Sequence, residues 1–174
     1  MNLKSGLPPV IGIAGWKNSG KTTLTERLIA ELTGRGLKIA SVKHAHHSFD
    51  IDHPSTDSAR HRTAGAREVA IISDTRVAHI RELHGAAEPG LDDIVARFAP
   101  CDLVIAEGYK TAAVAKIEVR RLDARSHEPL APNDPLVIAI AADHPLSDER
   151  LPVFRLDDVA EIADFIVAWM GRRA

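Results

Sequence analysis

A chain of 174 residues fits one compact domain, and its 45% hydrophobic content is enough to build that domain's core. A net charge of −2 at pH 7 excludes the broad basic field that nucleic acid or an anionic membrane surface requires. One cysteine, Cys101, excludes an internal disulfide, no apolar run approaches the roughly 20 residues that span a bilayer, and "MNLKSGLPPV" has no signal-peptide core, so the expectation is a soluble cytoplasmic protein.

The first element in chain order is an apolar run, Val10 to Ala14, which predicts a buried strand. It ends at Gly15. A helix is predicted from Thr22 to Gly34, with Leu24, Leu28 and Leu32 on one face and the "GRG" turn as its stop. "LKIASVK" predicts a second strand, completing a βαβ unit. The polar segment His44–Thr56 predicts a loop, followed by a short helix from about Ser58 with Asp57 as N-cap. "EVAIIS" and "RVAHIREL", separated by "DT", predict an antiparallel hairpin.

In the second half, "LDDIVARFA" predicts a helix with Pro100 beyond its end. "CDLVIAEGYK" predicts a buried strand ending at Glu107, and Cys101 is expected to pack near its start. "AKIEVRRLD", "PLVIAIAADHPL" and "LPVFRLDD" predict three more strands. Asp157 or Asp158 is expected to cap a last helix, with Ile162, Ile166 and Met170 as its apolar stripe. The sum is a single domain over residues 1–174 of the P-loop NTPase α/β class: a three-layer sandwich, a mostly parallel sheet with helices on both faces and a β-hairpin insertion.

Gly15-Trp16-Lys17-Asn18-Ser19-Gly20-Lys21-Thr22 matches G-x-x-x-x-G-K-[ST], and Thr23 follows it. The spacing has a physical purpose. Backbone N–H groups of the turn surround a β-phosphate, the lysine reaches the β- and γ-phosphates, and the Thr22 hydroxyl ligates Mg²⁺. The strand and helix fall where the motif needs them, which favours nucleotide binding over a ligand-free glycine turn. Lys17 stands one place later than the extra lysine that some dimeric ATPases insert into a partner's site, so it is read as a solvated loop lysine. Trp16 is read as packing on the loop, with the nucleotide or a partner as alternatives.

Glu107 ends a predicted strand, where α/β sheets place their ligands. It would hold Mg²⁺ through water or orient an attacking water; the alternative is a carboxylate that caps a neighbouring loop. The cluster His44, His46, His47, Asp50, Asp52 and His53 has three readings: a nucleotide-sensing loop with a carboxylate near Mg²⁺, a transition-metal site, or a polar loop rich in histidine. It lacks regular zinc spacing. Arg60, His61 and Arg62 would meet an anionic ligand or form a solvated basic face. Asp143 follows a strand end where a carboxylate would pair with guanine, although the chain has no N-K-x-D motif.

Read together, "GWKNSGKTTL", "VKHAHHSFDID", "TDSARHRTAGA", "LVIAEGYK", "KIEVRR", "VIAIAADHPL" and "DDVAEIADFIVAWM" resemble the molybdopterin-guanine dinucleotide biosynthesis adaptor (MobB) family, from about Val10 to Met170. The resemblance implies a homodimeric GTP-binding protein with weak GTPase activity. It implies GTP and Mg²⁺ as cofactors. Its partner would be the guanylyltransferase that joins GMP to molybdopterin, with molybdopterin itself as a further candidate ligand. By position, Gly15 to Thr22 hold the phosphates, Asp50 and Asp52 lie in the loop nearest the γ-phosphate, and Glu107 and Lys110 belong to an E-G-[FY]-K motif. Asp143 lies where the family's chain passes the base. Ser55 replaces a frequent glycine and the histidines are denser than the pattern requires, which keeps an accessory metal role open. Two other classes compete. One is a nickel-type metal-delivery GTPase, for which only the internal histidines speak. The other is a small-molecule kinase, for which the segment around Arg60 makes a poor lid.

Overall fold

The computed structural model describes residues 6–45, 49–147 and 150–172. The chain forms two compact units, one from residues 1–44 and 91–174 and the other from residues 45–90.

The larger unit is built on six strands. These are β1 (Val10–Ala14), β2 (Ile39–Lys43), β5 (Leu103–Glu107), β6 (Ala115–Arg120), β7 (Val137–Ala142) and β8 (Val153–Arg155). They lie in the order β2-β5-β1-β6-β7-β8 and every pairing between them is parallel. Parallel strands covered on both sides read as continuous apolar runs, and β1 and β5 are buried at every position.

Alternation along the strands sorts the core into two faces. Ile11, Ile13, Leu103, Ile105, Ile117 and Val119 point to one face. There they meet Leu24, Leu28 and Leu32 of α1 (Lys21–Gly34) and Ile162, Ile166 and Trp169 of α4 (Val159–Gly171). Val10, Val104 and Ala106 point the other way, toward Val95 of α3 (Leu91–Val95). The expected α/β class with helices on both faces of a parallel sheet is what this unit adopts.

Three local expectations change. The helix predicted through Ala99 ends at Val95, because Arg97 and Phe98 donate to carbonyls only three residues back and so tighten the last turn. In α4 the core position is Trp169, 8% exposed, while Met170 is only partly buried. A step of three from Ile166 keeps Trp169 on the stripe. Asp158 is the N-cap residue of α4, yet its side chain makes no capping hydrogen bond.

The back face of β6 is not apolar. Lys116 and Glu118 are each 1% exposed. Lys116 Nζ donates to Asp134 Oδ2 at 2.9 Å. Glu118 accepts from the Leu130 and Ala131 N–H groups at 2.8 and 3.0 Å and from Arg120 Nη2 at 2.9 Å. The charges are tolerable in the interior because each is paired and hydrogen-bonded. Their effect is to bind the 121–136 connection to the sheet. That connection in turn reaches the turn after β1, where Arg125 N–H donates to the Lys17 carbonyl at 2.9 Å.

The smaller unit holds α2 (Asp57–Thr63) and the antiparallel pair β3 (Glu68–Ile72) and β4 (Val77–Arg81), which bears out the predicted hairpin. The cap of α2 is Thr56 rather than Asp57: Thr56 has extended backbone, and its hydroxyl accepts from the Ala59 N–H at 3.2 Å. Among the described residues, no helix is long and apolar enough to cross a membrane.

Replacing Glu118 by Ala takes the side-chain acceptor from the part-buried Leu130 and Ala131 N–H groups and leaves the buried Lys116 without the nearby carboxylate on its own strand. The expected cost is about 3 kcal/mol, read as a lower urea midpoint with an unchanged slope. A midpoint equal to the parent's would show that the 121–136 connection is held by other contacts.

Candidate nucleotide site

The chain leaves β1 at Ala14 and turns at Gly15, whose φ is +153°. A Cβ there would stand 2.5 Å from the Val119 carbonyl oxygen and 2.6 Å from Ser19 Oγ. Only glycine lets the turn lie this close to β6. The turn closes through Asn18 (φ 66°) and Gly20 (φ 89°), and α1 begins at Lys21. Gly20 brings no capping side chain, and the first turn of α1 has no acidic residue. The positive end of the helix therefore meets neither a cap nor a carboxylate of its own, as an anion site at a helix start requires. Ser19, 1% exposed, has a hydroxyl with no hydrogen-bond partner. Lys17, Asn18, Thr22 and Thr23 are exposed along the turn and first helical positions.

Parallel pairing brings the ends of three strands to this turn. Register places Ile13 of β1 beside Glu107, and Lys43 of β2 on Glu107's other side. Thr22 Oγ1 donates to Glu107 Oε1 at 2.7 Å. Lys43 Nζ lies 3.3 Å from that same carboxylate oxygen and 3.5 Å from Thr22 Oγ1. Lys21 Nζ donates to the Trp16 carbonyl at 2.6 Å. Burial lowers the Lys21 pKa; Glu107 opposes that, and the Lys110 and Lys43 ammoniums reinforce it. Lys21 and Lys43 thus both act on one largely buried carboxylate. A hydroxyl and a carboxylate, both hard oxygen donors, fit Mg²⁺ by chemistry.

Trp16 is held by its own chain from two directions. Its Nε1 donates to the Glu128 carbonyl at 2.7 Å, and Lys110 Nζ stands 3.7 Å from the ring centroid, a cation–π contact. The expected packing of Trp16 on the loop is thereby given a partner in the 121–136 connection, which nothing in sequence spacing signals. His44 follows β2, and its ring centroid lies 5.3 Å from that of Tyr109.

Asp143 follows β7. Its Oδ1 accepts from the Leu122 N–H at 3.1 Å and from His144 Nδ1 at 2.8 Å, and its Oδ2 from Arg121 Nε at 3.3 Å. Burial raises its pKa, but the bonds from His144, Leu122 and Arg121 outweigh that and hold the carboxyl below the usual range. A cavity of about 460 Å³ opens beside it, bounded by His144, Phe154, Arg155 and Leu156. Arg121 also lies against the turn after β1, its Cδ 3.1 Å from where a Gly20 Cβ would be. Sequence reasoning gave no role to Lys43 or Arg121.

Within the smaller unit, Asp50 and Asp52 converge on Arg62. Arg62 Nη1 is 3.0 Å from Asp50 Oδ1 and 3.7 Å from Asp52 Oδ2, while its Nε donates to Glu82 Oε1 at 2.7 Å. The Thr56 hydroxyl donates to Asp52 Oδ1 at 2.6 Å. Arg62 is accordingly an internal tie, with its side chain 19% exposed, whereas Arg60 and His61 stay exposed and Arg60 pairs with Asp57. Asp50 is held below the ordinary carboxylate range by the Asp52 N–H and then by Arg62. Asp52 is held there by the Thr56 hydroxyl, against burial and with help from Ser58 and Arg62. His53 Nδ1 lies 2.7 Å from Ser55 Oγ. His46 and His47 lie outside the described residues. Among the described residues, no three His, Cys, Asp or Glu side chains are grouped to hold a metal ion.

The model of a family described as molybdopterin guanine dinucleotide synthesis protein B (MobB) matches residues 10–143. The molybdopterin-guanine dinucleotide biosynthesis adapter protein of Escherichia coli (strain K12) is 36% identical over 168 residues, 95% of each chain. Its namesake in Haemophilus influenzae is 35% identical, over 93% of this chain and 89% of the relative. A crystal structure of molybdopterin-guanine biosynthesis protein B aligns with a TM-score of 0.71 at 29% identity, covering 92% of this chain and 98% of that one. A MobB homologue from Bacillus stearothermophilus aligns with a TM-score of 0.69 at 27% identity, covering 94% and 98%.

The Asp50–Asp52–Arg62 tie makes a pH prediction. Both carboxyls titrate lower when folded than unfolded. Their contribution is therefore present above the unfolded value of about 3.9 and is lost as pH falls through the lower folded values. Amide exchange in α2, corrected for intrinsic rate, should accelerate only well below pH ~4 in the parent chain. In Arg62→Ala the acceleration should begin at higher pH. Superimposable profiles would rule out Arg62 as a contributor to the shift.

Proposed function

The chain belongs to the MobB family, and we propose that it is a GTP-binding adaptor in molybdopterin-guanine dinucleotide biosynthesis. In this reading it assists the guanylyltransferase that joins GMP to molybdopterin, as a cytoplasmic homodimer with weak GTPase activity and with molybdopterin as a candidate further ligand. The observation that carries the reading is the convergence of Lys21, Thr22 and Glu107 at the turn after β1, inside the stretch matched by the family model.

The residues divide the work as follows. The turn from Gly15 to Thr22 presents backbone N–H groups and the start of α1 to the phosphates. Lys21 leaves the Trp16 carbonyl and supplies a point charge to the β- and γ-phosphates. Thr22 and Glu107 would hold Mg²⁺, which, when bound, supplies the positive charge that neutralises phosphate oxygens. Glu107 also has the position and charge to orient a water. With the Lys110 ammonium on its ring, Trp16 keeps the turn from splaying.

Support for guanine comes from Asp143 and the cavity beside it. A carboxylate accepts from both the N1–H and the amino group of guanine, whereas adenine presents an acceptor at N1. A carboxylate has about four acceptor sites. Leu122, Arg121 and His144 use three of them, so a base would displace at least one of the two side chains.

Titration with GTP tests the assignment. Lys21→Ala should weaken binding by about a hundredfold or more, because the phosphates lose their main point charge. Glu107→Gln should bind nearly as the parent does and hydrolyse at least about tenfold more slowly. Undiminished affinity in Lys21→Ala would sink the phosphate site, and an unchanged rate in Glu107→Gln would make that carboxylate structural. For the adaptor role, a pull-down from molybdenum-replete extract with and without GTP should recover the guanylyltransferase; its absence under both conditions would count against the partner.

A further inference from the structure

We propose that Lys43 is a tethered cation for the Thr22–Glu107 pair, standing in for the divalent ion and lowering the dependence of nucleotide binding on Mg²⁺. The inference rests on the GTP-binding reading above and deepens it.

The geometry begins with register. Lys43 is the last residue of β2 and is paired in parallel with Glu107, the last residue of β5. Its ammonium lies 3.3 Å from Glu107 Oε1 and 3.5 Å from Thr22 Oγ1. These are the two oxygens assigned to the divalent ion. The other two lysines nearby are directed elsewhere, Lys21 to the Trp16 carbonyl and Lys110 to the Trp16 ring.

The electrostatics explain why a tethered charge matters here. The Glu107 side chain is 10% exposed and fixed at a strand end, so its negative charge is weakly screened. Any phosphate arriving at the start of α1 meets that carboxylate and is repelled unless a cation lies between them. Lys43 supplies one. Its own side chain is 61% exposed on a flexible four-carbon stem. It can therefore withdraw from the two oxygens when a divalent ion takes them, at little cost in packing. A buried lysine would be trapped there and would exclude the metal.

Equilibrium titration with a fluorescent GTP analogue, in saturating Mg²⁺ and in excess EDTA, tests the proposal on the full chain and its Lys43→Ala and Lys43→Arg variants. In EDTA, Lys43→Ala should bind about tenfold or more weakly than the parent, and Lys43→Arg should retain most of the affinity. In Mg²⁺, Lys43→Ala should lie within about threefold of the parent. Equal losses in both conditions would make Lys43 an ordinary phosphate contact and overturn the proposal. No loss in either would make it a surface ion pair of little worth, and also overturn it. If the parent chain binds no analogue in either condition, the GTP-binding reading falls and takes this inference with it. Parent binding with a flat Lys43 series removes only the role of Lys43.

Discussion

The parallel pairing of β5 with β1 and β2 is the constraint on which the site depends. It sets Glu107 opposite Ile13 on one side and Lys43 on the other. Because side chains alternate along a strand, a slip of one residue would turn Glu107 into the sheet's opposite face and move Ala106 into its place. The slip is prevented by burial. Leu103 and Ile105 are fully enclosed beneath α1 and α4, and Val104 and Ala106 are enclosed on the other side. The same apolar contacts that hold the sheet together fix where the carboxylate stands.

A second constraint is charge compensation at the edges of that core. Glu107, Glu118 and Lys116 are all nearly or fully buried, and none is isolated. Glu118 and Lys116 meet partners in the 121–136 connection, and their bonds position Glu128, whose carbonyl receives Trp16 Nε1. Glu107 is compensated by Thr22 and Lys43. The two arrangements differ in consequence. The Lys116 and Glu118 pairs are enclosed and serve architecture, whereas the ammonium that compensates Glu107 is exposed. A site that must accept a charged ligand needs the second kind of partner.

Much of this was legible in the residues alone. The glycine spacing and the apolar run before it located the turn after β1, and three leucines four residues apart located α1. The hairpin was visible from two β-rich runs around "DT". Other features were not legible. Arg62 looked like one cation of a basic helix face, and three carboxylates from different parts of residues 45–90 turned it inward. Asp57 was read as the cap of α2, and Thr56 holds that place. The choice between them lies in the extended backbone of Thr56, which no composition rule reports.

What the sequence by itself determined was the set of local elements and the glycine turn after β1, because both depend on contacts within a few residues of one another. Gly15, Gly20, Lys21 and Thr22 need no distant partner to be recognised. What only the tertiary structure decided was which distant charges share an oxygen. Lys43 and Glu107 are 64 positions apart, and Trp16 and Glu128 are 112 apart. Their meeting follows from strand order, and strand order follows from how the apolar faces of six strands and their helices can all be buried at once.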